Sequence, residues 1–186
     1  IVERARQLRE AGPRALARSG LTPPSIGVSP GAAFGSAKRW PAARFADAAA
    51  RLAGEIGCSV AVFGSKDEHD LCGEVARIVQ QRGRAARNFA GETTLRAFIE
   101  LAAGCCLYLT NDSGAMHVAY ALGIPPVAVF GSTDEFGTGP VGAACTVVRE
   151  KVECSPCLLR ECPIDHRCME RVTVERVVRA ALDLTR

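Results

Sequence analysis

Residues 106–130 read CLYLTNDSGAMHVAYALGIPPVAVF, and this stretch decides the fold. The apolar runs at 106–109 and 127–130 have the length of buried strands. The segment between them, 113–122, has the length of a helix. Strand, helix and strand joined by short turns form a right-handed βαβ unit. The turn Thr110-Asn111-Asp112-Ser113-Gly114 is small and hydroxyl-bearing. Free backbone N–H groups at a helix start, the positive end of the helix dipole and a Ser hydroxyl suit an anion such as phosphate. Gly114 has no side chain to block its approach, and His117, four residues after Ser113, falls one turn further along the same helix face.

Working outward, the same alternation recurs. Strands are expected at 25–29, 60–63, 87–89 and 146–148, and helices at 41–56, 67–81, 94–103 and 174–184. Strands alternating with helices of this length predict an α/β fold, a parallel sheet with helices on both faces. Residues 1–24 read as an N-terminal helix, stopping before Gly20, and a stiff linker Thr22-Pro23-Pro24. Residues 25–186 read as the main domain, including a cysteine-rich loop at 154–168 and a closing helix. In such sheets ligands gather beyond the carboxyl ends of the strands, here the loops at 29–40, 64–68, 90–94, 110–114 and 131–140.

A chain of 186 residues with 48% hydrophobic content can bury a sizeable core. A net charge of +3 is too mild and dispersed to argue for nucleic acid. No run of about 18 uncharged apolar residues occurs, and Ile1-Val2-Glu3-Arg4 lacks the order of a signal peptide, so a cytoplasmic setting is expected. The opening residue, Ile in a segment that reads as mid-helix, suggests part of a longer polypeptide.

The loop Pro30-Gly31-Ala32-Ala33-Phe34-Gly35-Ser36-Ala37-Lys38-Arg39-Trp40 follows the first strand. Lys38 supplies the kind of point charge that holds phosphate, whereas Trp40 reads as a staple between helix and sheet. Neither a Walker loop nor a Gly-x-Gly-x-x-Gly turn is present. Asp112 or Ser113 is expected to cap the following helix. Of nine cysteines, Cys154, Cys157, Cys162 and Cys168 are grouped within one short segment. Their spacing lacks two regular Cys-x-x-Cys knuckles, so reduced packing thiols are expected, structural zinc on these four being the alternative. This segment is expected to be structural and remote from the ligand.

The stretches SPGAAFGSAKRWPAARFADAA and TNDSGAMHVAYALGIPPVAVFGSTDEFGTGP, with the tail CSPCLLRECPIDHRCM, closely resemble the C-terminal half of bacterial ADP-heptose:lipopolysaccharide heptosyltransferases, the heptosyltransferase II branch above all. The resemblance covers residue 25 to the end. It implies a Rossmann-like domain, the C-terminal half of a GT-B glycosyltransferase, which binds ADP-heptose while an N-terminal domain brings the lipid A–core acceptor. It further implies that Lys38 binds the donor diphosphate, that Asp112, Ser113, Gly114 and His117 form the donor site, that Thr93 contacts the adenosine, and that Ser65 or Lys66 lies by the ribose. The general base, an aspartate of the N-terminal domain, has no counterpart here, so no catalytic residue is expected in this chain and it should be inactive alone. No cofactor is implied, and no Asp-x-Asp metal clamp is visible, so donor binding is expected to be metal-independent. The full-length protein is expected at the inner face of the inner membrane, peripherally associated. The alternatives are a GT-B transferase or epimerase using another nucleotide sugar, and a nonenzymatic nucleotide-binding or interaction module.

Overall fold

The computed structural model describes residues 2–140 and 144–185; Ile1 of the expected first helix and Arg186 of the expected domain lie outside the described residues. The chain runs α1 (Val2–Arg18), β1 (Ser25–Ser29), α2 (Ala42–Ile56), β2 (Ser59–Val62), α3 (His69–Gln81), β3 (Ala86–Asn88), α4 (Leu95–Ala102), β4 (Cys105–Asn111), α5 (Gly114–Ala121), β5 (Pro126–Phe130), α6 (Glu135–Thr138), β6 (Thr146–Arg149), α7 (Arg167–Glu170) and α8 (Val174–Asp183). The six strands are all parallel, in the order β3-β2-β1-β4-β5-β6. The order reverses between β1 and β4, and that is where an open α/β sheet forms a crevice beyond its strand ends.

Alternation along the strands sends side chains to two cores. Ile26, Val28, Val60, Val62, Leu107, Leu109, Val127 and Val129 meet α2, α3 and α8 on one face. On the other, Ala61, Phe63, Cys105 and Tyr108 meet Leu16 of α1, Ala102 of α4 and Ala119 of α5. The N-terminal helix is therefore part of the same packed body. It approaches so closely that a Cβ on Gly12 would overlap the backbone of Gly104, and Arg9 Nη1 donates to the Ala103 carbonyl at 2.9 Å.

Every strand and long helix expected from periodicity is present. The differences lie where polar residues join an element or a helix is one turn long. β4 extends to Asn111 because the buried Thr110 and Asn111 stay in the ladder beside β5, beyond the apolar run. The loop expected at 131–140 contains α6, started by Asp134, whose carboxylate accepts the Phe136 N–H at 3.2 Å. A 3₁₀ turn at Ser36–Lys38 and the short α7 are likewise below the length that periodicity reveals. No helix among the described residues is long and apolar enough to cross a membrane.

Candidate functional site

The crevice opens at the carboxyl ends of β1, β2 and β4 as a cleft of about 450 Å³, lined by Ala32, Phe63, Ser65, Thr93, Ser113 and Gly114 among others. Its floor is aromatic. Phe63 stacks on Phe89 at 5.4 Å and takes the edge of Phe98 at 5.2 Å between centroids. The buried Tyr108 hydroxyl is hydrogen-bonded to Ser29 at 2.8 Å. Burial pushes the Tyr108 phenol well above its ordinary range, although the Ser29 bond opposes this. Beneath the β2 loop the Cys72 thiol is pushed up to about 12, by burial first and then by the Glu68 charge. It is a neutral thiol, bonded to the Phe63 carbonyl at 3.5 Å.

At the reversal point one buried amide joins the two central loops. Asn111 Oδ1 accepts the Trp40 N–H at 2.9 Å, while Nδ2 donates to the Pro30 carbonyl at 2.7 Å. Trp40 is the expected staple: it meets the Phe45 ring edge-on at 5.0 Å and donates Nε1–H to the Val172 carbonyl at 3.0 Å. The next residue along from Asn111 carries the principal charge contact. Lys38 Nζ donates to Asp112 Oδ2 at 2.6 Å, the two side chains 11% and 5% exposed. Thr133 and Thr138 donate their hydroxyls to the same oxygen at 2.7 and 3.0 Å. A carboxylate this deeply buried requires such partners.

The expected cap at α5 is not made by either candidate. Asp112 turns its carboxylate to Lys38, and Ser113 shares a hydrogen bond with Thr110 at 3.0 Å. Both have better partners inside the loop cluster, so the first N–H groups of α5 face the cleft without a side-chain cap. A Cβ on Gly114 would meet open space.

The structure thus brings Ser65, Thr93, Ser113 and Gly114 together around one cleft, and Lys38 and Asp112 together beside it. His117 is exposed on α5 outside the cleft lining, and Lys66 is exposed beside Ser65 without lining it. Sequence reasoning missed Asn111, Thr133 and Thr138. Their only signal was small polar residues in loops already marked by the fold.

The cysteine-rich segment is not remote, which corrects that expectation. Leu158 N–H donates to the Ser132 carbonyl at 2.7 Å, and Ala37 N–H donates to the Arg160 carbonyl at 2.9 Å, so it packs on the Lys38 loop and on the loop whose Thr133 and Thr138 bond Asp112. All four of its cysteines are free thiols, and among the described residues no group of three or more His, Cys, Asp or Glu side chains is set to hold a metal ion.

Comparison with known proteins agrees with this architecture. The E. coli (strain K12) lipopolysaccharide heptosyltransferase 2 is 42% identical over 127 residues, 68% of this chain and 36% of its own. A Campylobacter jejuni lipooligosaccharide heptosyltransferase 2 is 35% identical over 162 residues, 86% of this chain and 50% of its own. The chain thus spans half or less of the length of these relatives. The solved structure of E. coli ADP-heptose lipopolysaccharide heptosyltransferase II superimposes with a TM-score of 0.77 at 32% identity, covering 96% of this chain and 51% of that one. The sheet reversal and these likenesses converge with a family model that matches residues 3–167: the chain belongs to glycosyltransferase family 9, the heptosyltransferases.

Proposed function

We propose that this chain is the donor-binding half of an enzyme that moves heptose from ADP-L-glycero-D-manno-heptose to the inner core of lipopolysaccharide. The observation that carries this reading is the uncapped start of α5, open at Gly114, beside the buried Lys38–Asp112 pair at the point of strand reversal. Cleavage of a nucleoside diphosphate sugar builds negative charge on the departing diphosphate and positive character on the sugar. Cations and helix dipoles aimed at the diphosphate stabilise that transition state.

In this reading the adenine lies on the aromatic floor by Phe63 and Phe98, with Thr93 at the adenosine and Ser65 at the ribose. The diphosphate sits on the N–H groups that start α5. Lys38 shares its ammonium between Asp112 and the diphosphate, so Asp112 acts first by orienting Lys38, and His117 reaches the sugar hydroxyls from one turn along. The donor follows from the similarity to an enzyme whose name specifies ADP-heptose and lipopolysaccharide. The acceptor and the base belong to the half of the relatives' length that this chain does not span. Because the acceptor is a lipid, the full-length enzyme works peripherally at the cytoplasmic face of the inner membrane.

Titration calorimetry of the protein with ADP, UDP and GDP tests the reading. Preference for ADP supports it. Preference for UDP or GDP would reassign the donor, and no binding of any of the three would remove the site.

A further inference from the structure

The Ser36–Lys38 turn has little internal support of its own. Lys38 N–H reaches the Gly35 carbonyl only at 3.3 Å, and Arg39 N–H reaches Ser36 at 2.9 Å. Its backbone hydrogen bonds to the rest of the chain run to the cysteine-rich segment, more than 100 residues away in sequence. Both backbone polar groups of Ala37, the residue before Lys38, are taken by that segment: its N–H donates to the Arg160 carbonyl, and its carbonyl accepts from His166 Nε2–H at 2.9 Å. The Arg160 guanidinium lies over the Phe34 ring at 5.2 Å, and Lys38 Nζ lies over the same ring at 4.9 Å. Gly35 meets the Arg160 carbonyl so closely that a Cβ there would overlap it. His166 itself has φ of 54°, a left-handed conformation that an ordinary L side chain adopts at a cost. In the direction it takes, its ring spans the two segments. Cys168 and Met169, which follow it, are buried and lie against Gly131, so the far end of the strap is anchored.

We propose that the cysteine-rich segment is a strap that sets the position of Lys38, and that His166 is a positioning residue which acts through the Ala37 carbonyl on how Lys38 meets the diphosphate. The inference rests on the reading of Lys38 given above. A group held from two sides, at its backbone by the strap and at its ammonium by Asp112, is preorganised for a ligand, and displacements of about 1 Å at such groups cost up to about a hundredfold.

The test is a double-mutant cycle read by ADP and adenosine affinity. His166→Asn tolerates the left-handed backbone but falls short of Ala37, whereas His166→Gln restores a donor of similar reach. His166→Asn is expected to weaken ADP about tenfold, with adenosine, which lacks phosphates, within about twofold of the parent. His166→Gln should recover most of the loss, and His166→Asn should add nothing in a Lys38→Ala background. Equal losses of ADP and adenosine, or an undiminished effect in that background, would mean a merely structural histidine and would overturn the inference. Weakening by Lys38→Ala with none from His166→Asn overturns the inference and leaves the donor reading standing; unchanged ADP affinity in Lys38→Ala overturns both. Should His166→Asn lose its cooperative melt, His166→Gly, which accepts the same left-handed backbone and carries no donor, takes its place in the cycle with the same outcomes.

Discussion

Lys38 is the principal cation of the proposed donor site, and its pairing with Asp112 gives it two measurable roles. Lys38→Ala should weaken ADP binding by about 1.5–3 kcal/mol, the scale of a hydrogen bond to a charged group, as read by calorimetry. It should also lower stability by up to about 3 kcal/mol, because Asp112 keeps only the Thr133 and Thr138 hydroxyls in a buried position. Lys38→Arg should recover only part of the affinity, since a planar fork does not reproduce a point charge. Thr133→Val preserves shape yet removes one of Asp112's donors, and should cost about 1–3 kcal/mol in thermal denaturation. Legibility differed sharply at this scale. Lys38, Asp112 and Ser113 stood out because they lie on loops at the ligand edge. Their partners did not: 74 residues separate Lys38 from Asp112, and nothing local marks the hydroxyls of Thr133 and Thr138 as buried donors. The same competition for partners explains why neither Asp112 nor Ser113 caps α5.

Among the elements, α5 is decisive. Gly114→Val should fold, since the added side chain meets open space within the chain, but should abolish ADP binding by occupying the approach to the first N–H groups. Parental ADP affinity in that variant would contradict the site. His117→Ala should impair binding less, because His117 stands outside the cleft lining. On the same face of the sheet as α5, the contact of α1 with the turn after α4 is tight enough that Gly12→Ala should cost about 1–3 kcal/mol by overpacking, seen as a lower melting midpoint without change in ADP affinity. Period and length revealed the strands and long helices correctly. They could not reveal α6, α7 or the Ser36–Lys38 turn, each too short to show a repeat. Nor could they show that the cysteine-rich segment folds back on the Lys38 loop, since its contacts run through backbone carbonyls that carry no sequence signature.

For the molecule as a whole, strand order converts separate loops into one site. The reversal between β1 and β4 sets the Lys38 loop and the α5 start side by side, clamped by Asn111, while β2 brings Ser65 to the same mouth. As the proposed donor half, the chain should bind ADP yet transfer no heptose by itself, which an assay with labelled ADP-heptose and acceptor would check. The most direct measurement is a crystal structure of the protein with ADP. The account predicts the diphosphate on the backbone N–H groups at Ser113 and Gly114, with Lys38 Nζ within hydrogen-bond distance and the adenine against Phe63 and Phe98. Well-ordered ADP elsewhere, with Lys38 still wholly engaged by Asp112, would contradict it.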